Sequence, residues 1–135
     1  METKITSENF VAAAMRTDAP ITCDVMSRLQ NPDVVNLLHA AMGLATESGE
    51  LLDMLKKHIF AGKPLDVVNA KEELSDSLWY IAKGVDSVRA TLEDILALNI
   101  AKLKMRYPHK FEENLSHNRD VVAEREFLDS ISDGS

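Results

Sequence analysis

Phe60-Ala61-Gly62-Lys63-Pro64-Leu65-Asp66 is the stretch on which the fold turns. A Gly closing an apolar run, with Pro shortly beyond, is how helices end: Gly takes the left-handed conformation at little cost, and Pro cannot continue the hydrogen-bond ladder. Asp66 just ahead of Val67 is an N-cap, since its carboxylate can accept from the amides of a following first turn. One helix therefore stops here and another starts. The intervening Ala61 to Leu65 is short enough to make an antiparallel hairpin the natural arrangement.

Working upstream, Asn31 is the N-cap and Pro32 the first helical residue of a run that continues to Phe60. Leu37, Ala41, Leu44, Leu51, Leu55 and Ile59 recur every three, four or seven positions and fall on one stripe. Gly43 and Gly49 each cost that helix roughly 1 kcal/mol relative to Ala, and either marks a place where a second helix can come close. Downstream, Asp66 opens a helix to about Arg89 whose Val67, Ala70, Leu74, Leu78, Ile81, Val85 and Val88 form a narrow apolar seam in need of a partner helix. Thr91-Leu92-Glu93-Asp94 resembles a capping box with Asp in place of the usual Glu or Gln. A fourth helix follows through Ile95, Leu98, Ile100, Ala101, Leu103 and Met105 to Tyr107-Pro108.

The flanks are less regular. Ser7 caps a short amphipathic helix through Arg16, stopped before Asp18-Ala19-Pro20, while Thr17 to Gln30 reads either as loop or as a weak helical turn. After Pro108 the composition turns polar, which predicts an extended arm with room for one short helix and frayed residues from Ser132 to Ser135. The expected fold is all-α: an antiparallel bundle of about four main helices with a C-terminal arm. It forms one domain over residues 1–135, with the bundle core at 31–107 and the arm at 108–135.

Composition narrows the function. The 135 residues suffice for one domain, and 45% hydrophobic with 27% charged residues is ordinary for a soluble globular chain. A formal charge of −7 argues against a nucleic-acid surface, whose affinity comes from Lys and Arg neutralising phosphates. The single Cys23 makes no internal disulfide, Met1 to Glu8 has no apolar run of the signal-peptide type, and no apolar segment approaches the ~20 residues that span a bilayer. A cytoplasmic protein with soluble partners is the expectation.

The chemistry lies in the acids. Glu47 and Glu50 are three positions apart on the second helix, and Glu73 and Asp76 repeat that spacing on the third, so each pair projects from one side of its helix. At about 100° per residue both pairs flank their helix's apolar stripe, and packing the hairpin brings the two flanks together. Converging carboxylates repel one another, and a divalent cation offsets that charge. Oxygen-only ligands favour Mg²⁺, with Mn²⁺ a substitute; no Cys or His is spaced for zinc, and no Glu-x-x-His pair supports a di-iron bundle. Mg²⁺ binds through a few carboxylates plus substrate phosphates, which suits a triphosphate and makes its hydrolysis the natural chemistry. Either acidic pair by itself is an ordinary solvated helix face; only the two together, at hairpin spacing, carry the reading.

Glu47-x-x-Glu50 followed by Glu72-Glu73-x-x-Asp76 resembles the signature of the MazG-type all-α nucleotide pyrophosphohydrolases. Asn99-Ile100-Ala101-Lys102-Leu103-Lys104-Met105-Arg106-Tyr107-Pro108 is similar to that family's Asn-x-x-Lys-Leu-x-x-Arg-Tyr-Pro segment. Asn118-Arg119-Asp120 is similar to the Asn-Arg-Asp in the tail of some members. The resemblance runs over roughly His39 to Glu124. It implies Mg-dependent hydrolysis of (deoxy)nucleoside triphosphates between the α and β phosphates, giving monophosphate and pyrophosphate. It further implies that Glu47, Glu50, Glu73 and Asp76 hold the metal, that Lys102 and Arg106 meet phosphate oxygens, and that Asn99 contacts ribose or base. Because tandem members exist and this chain has one unit, it implies assembly as a homodimer or a dimer of dimers. The unpartnered seam on the third helix points the same way.

Other positions keep two readings. Glu72, about 100° round the helix from Glu73, is a second-metal ligand, a base for the attacking water, or a solvated residue. Tyr80, one turn past Asp76, either stacks on a base or closes the top of the core. Asn118 and Arg119 close over the triphosphate of the same or a neighbouring subunit, or Arg119 pairs with Asp120 or another surface acid. Trp79 is expected in the core or a subunit interface, His39 as a partly buried polar residue, and Lys56 and Lys57 as ordinary cations of a helix's last turns. Two alternatives stand beside the leading reading: hydrolysis of a guanosine tetraphosphate alarmone, which needs the same contacts, and a non-enzymatic helical interaction module whose acids are only a solvated face.

Overall fold

The computed structural model describes residue 4 and residues 6–132. Among these there are seven helices and no strand: α1 Phe10–Met15, α2 Cys23–Arg28, α3 Pro32–Ala61, α4 Val67–Ser87, α5 Leu92–Arg106, α6 Glu113–His117 and α7 Val121–Ser132. No helix among the described residues is long and apolar enough to cross a membrane. The chain divides into two compact units, Met1–Val35 and Asn36–Ser135, with the boundary in the first turns of α3.

The first unit holds α1, α2 and the start of α3. The expected cap at Ser7 is replaced by Asn9, whose side chain is occupied backwards. Its Oδ1 accepts from the Thr6 amide at 2.8 Å and its Nδ2 donates to the Lys4 carbonyl at 3.0 Å, so α1 starts at Phe10 without a side-chain cap. The ambiguous stretch before Asn31 contains α2, made possible by Thr22, whose hydroxyl accepts from the Val25 amide at 3.3 Å. Asn31 caps α3 through its Oδ1, which accepts from the Asp33 amide at 2.9 Å.

In the second unit the punctuation read from the sequence is realised. Gly62 takes φ +64°, Asp66 Oδ1 accepts from the Asn69 amide at 3.0 Å, and Thr91 with Asp94 forms a complete capping box at the head of α5. α3 and α4 form the antiparallel hairpin. Lys83 Nζ donates to Asn36 Oδ1 at 3.0 Å at the open end, and a Cβ on Gly84 would lie 3.5 Å from Ala40 Cβ. The Tyr80 ring occupies the space beside Gly43, where an added Cβ would overlap it. Of the two glycines in α3, therefore, Gly43 marks the close approach, while Gly49 faces open space.

The segment after Pro108 holds two helices where an arm with one short helix was expected. Asp120 caps α7, its Oδ1 accepting from the Ala123 amide at 2.9 Å, and Glu124 on its first turn is only 7% exposed. Of the residues expected to fray at the C-terminus, Ser132 is the last of α7, and those after it lie outside the described residues. Among the described residues the buried apolar core is small, with Ala40 and Met54 as its buried hydrophobic side chains, and much of the apolar seam of α4 is open: Val67, Leu74, Leu78 and Val88 are all exposed.

Candidate functional site

Halfway along the hairpin, Glu47 on α3 and Glu73 and Asp76 on α4 each place a carboxylate oxygen within 4.8 Å of the other two. The i, i+3 spacing on α4 and the antiparallel crossing of α3 produce this directly. Glu73 is buried, Glu47 half-buried and Asp76 exposed. The Glu47 carboxyl is held above its ordinary value of 4.5, first by its burial, then by a hydrogen bond with Glu73 and by the negative charges of Glu50, Glu73 and Asp76. An all-oxygen set of this kind fits a hard divalent cation.

Glu50 stands outside the tight group but within electrostatic reach of Glu47. It is exposed and, with Glu73, borders a groove of about 1200 Å³ at the turn end of the hairpin, which Asp53, Lys57, Lys63 and Asn69 also line. Asp53 there is paired with Lys56 at 2.6 Å and Lys57 at 2.5 Å, which hold its carboxyl down to about 2. Lys56 and Lys57 thus behave as the helix-end cations expected of them. Glu72 is exposed and apart from the cluster.

Asn69 was not singled out from the sequence. It is part-buried, and its Nδ2 donates to Glu73 Oε1 at 2.7 Å, fixing the buried carboxylate from one turn back. The i, i+4 spacing between them was a legible signal. At the open end, Glu47 and Asp76 border a second cavity of about 290 Å³ together with Trp79 and Tyr80. Tyr80 is half-buried, whereas Trp79 is 59% exposed, so within this chain the expected core position is not what Trp79 occupies. His39 is exposed, its ring edge-on to Tyr80 with centroids 5.9 Å apart.

On α5, Asn99 is exposed and Lys102 half-buried. Arg106, on the last turn, is joined to Glu124 of α7 by Nε at 2.8 Å and Nη2 at 2.6 Å; Arg119 reaches the same carboxylate at 3.3 and 2.6 Å. Two guanidiniums hold the Glu124 carboxyl down to about 2. Arg119 therefore pairs with an acid, and that acid is buried. Asn118 donates to the Asn114 carbonyl and side chain at 3.1 and 2.6 Å. No sequence spacing announces Glu124, which lies 18 positions from Arg106.

Among the described residues the chain is all-helical, and its central hairpin converges three carboxylates on one point, an oxygen-only set of the kind that suits a hard divalent cation. The model of the MazG nucleotide pyrophosphohydrolase domain matches residues 37–111, more than half of the sequence and including the whole carboxylate cluster, and the chain belongs to that family. Comparison with curated proteins and with solved structures found no match.

Proposed function

We propose that this chain hydrolyses (deoxy)nucleoside triphosphates between the α and β phosphates, releasing nucleoside monophosphate and pyrophosphate, with Mg²⁺ held by Glu47, Glu50, Glu73 and Asp76. The observation that carries the reading is the convergence of Glu47, Glu73 and Asp76 within 4.8 Å in a member of a nucleotide pyrophosphohydrolase family. The raised Glu47 carboxyl supports it, because crowded carboxylates without a cation are the expected cost of a site built to receive one.

A divalent ion bound there supplies positive charge against the phosphates and makes the attacking water more acidic. The protein's part is positional. Asn69 holds Glu73 in place, Glu50 extends the acidic set into the groove, and Glu72 stands beside it as a candidate base or second ligand. Lys102 and Arg106 are the proposed phosphate contacts from α5. Asn118 and Arg119 are those from the C-terminal segment, with Glu124 keeping the two guanidiniums side by side. Tyr80 and Asn99 are assigned to the nucleoside. Residues 31–107 form the proposed catalytic core and 108–135 its arm within one domain, in a cytoplasmic homodimer or homotetramer whose copies cover the open seam of α4.

The test is pyrophosphate release from a panel of ribo- and deoxynucleoside triphosphates and guanosine tetraphosphate, each with Mg²⁺, with Mn²⁺ and with chelator. Metal-dependent formation of monophosphate and pyrophosphate, abolished in folded Glu50→Gln and Asp76→Asn variants, is the expected result. Turnover retained in both variants overturns the site; no turnover on any nucleotide overturns the reaction.

A further inference from the structure

Trp79 is the chain's single tryptophan, and the hydrolytic reading leaves it unused. It lies three residues past Asp76, on the next turn of the same side of α4, and borders the same cavity as Glu47, Asp76 and Tyr80. Its ring meets Tyr80 edge-on, centroids 5.0 Å apart and planes at 89°. Tyr80 in turn is wedged against Gly43 and edge-on to His39. An indole braced in this way while more than half exposed is a preformed flat apolar surface beside the carboxylates.

The small cavity at the open end is lined by Glu47, Asp76, Trp79 and Tyr80 and carries no cation, while in the groove at the turn end Lys57 is already paired with Asp53 and Lys63 stands among Glu50, Asp53, Asp66 and Glu73. A ligand whose negative charge is met by a cation on the carboxylates therefore finds, at the open end, a surface suited to a flat heteroaromatic ring and not to further phosphate. We propose that Trp79 is the specificity-determining residue of this site, the surface against which the nucleobase of the triphosphate stacks. The proposal rests on the hydrolase reading given above.

Because Trp79 is the sole indole, its emission reports on this contact directly. The probes are α,β-methylene nucleoside triphosphates of each base with Mg²⁺, read at the red edge of indole excitation, against inorganic triphosphate with Mg²⁺ as the baseless control. Saturable quenching that differs from base to base, with little response to inorganic triphosphate, is expected. Trp79→Leu should raise KM for the preferred nucleotide about tenfold, the order expected for a lost base–aromatic stack. It should flatten the ranking of bases with a smaller change in kcat, and Trp79→Phe should restore much of the preference. An active enzyme whose emission ignores nucleotides, or follows inorganic triphosphate equally, overturns the proposal and leaves the hydrolase reading intact. So does a Trp79→Leu variant with unchanged ranking, or an emission that responds to protein dilution and not to nucleotide, since the indole is then covered by a second copy. A wild-type protein without turnover overturns the hydrolase reading itself, and this proposal with it.

Discussion

Asn69 shows how much one uncharged side chain can do beside an acidic cluster. Its Nδ2 satisfies an oxygen of Glu73, a residue only 5% exposed whose carboxylate would otherwise lack this partner. Groups that orient a ligand in this way commonly contribute 10–100-fold to metal affinity. Asn69→Ala is therefore expected to raise the Mg²⁺ concentration for half-maximal activity about tenfold or more, with kcat at saturating metal much less affected. A metal titration of initial rates checks this, and an unchanged half-saturation point would show that Glu73 holds its position unaided. The helix cap at Asp66 accepts from the Asn69 backbone, so the substitution leaves the start of α4 in place.

At the scale of elements, the two glycines of α3 make opposite predictions. Gly49 sits in mid-helix with nothing within 4 Å of an added Cβ. Gly49→Ala should stabilise the protein by about 1 kcal/mol through helix propensity and the reduced entropy of the unfolded chain. In Gly43→Ala the new Cβ would displace the Tyr80 ring from between α3, His39 and Trp79. That loss should outweigh the propensity gain, and thermal melting of the two variants side by side decides the matter.

The attachment of α7 to α5 makes a prediction in pH. Glu124 titrates at about 2 in the folded chain against an ordinary 4.5, first because of its bond to Arg106 and then that to Arg119. A depressed carboxyl contributes stability that is complete above the unfolded value and is lost as pH falls through the folded one. Protection factors of the α7 amides, with the intrinsic pH dependence of exchange divided out, should therefore be high above about pH 4.5 and fall progressively toward about pH 2. Glu124→Gln should expose α7 already at neutral pH and remove the dependence within that window. Equal protection of α7 in both proteins would mean that the helix is held by its apolar contacts alone.

For the whole molecule, the open apolar surface is the dominant fact. Leu74 is 55% and Leu78 63% exposed on a helix whose seam is regular enough to have been read from its sequence. Contiguous apolar surface of this kind marks a protein interface. Sedimentation should accordingly find a dimer or tetramer at micromolar concentration, and Leu78→Glu, which places a charge in the seam, should shift the population toward monomer. A wild-type chain that sediments as a monomer would remove the case for assembly and leave the seam unexplained.

What the sequence determined by itself is what local physics controls. Gly62, Pro64 and Asp66 set the hairpin, Asn31 and Thr91 set helix starts, and of the four paired i, i+3 acids expected to converge Glu47, Glu73 and Asp76 do so, because capping and helical periodicity act over a few residues. Where a local rule had a rival, the sequence alone could not arbitrate: Asn9 and not Ser7 stands at the start of α1, and its side chain, bonded back to Thr6 and Lys4, makes no cap. Only the tertiary structure decided that Trp79 stands at a cavity edge, that Gly43 and not Gly49 admits a ring, and that Glu124 gathers Arg106 and Arg119 from two helices. Each of these depends on the distance between side chains remote in sequence or across the hairpin. That distance is set by how the helices pack, to which the spacing of residues along the chain is blind.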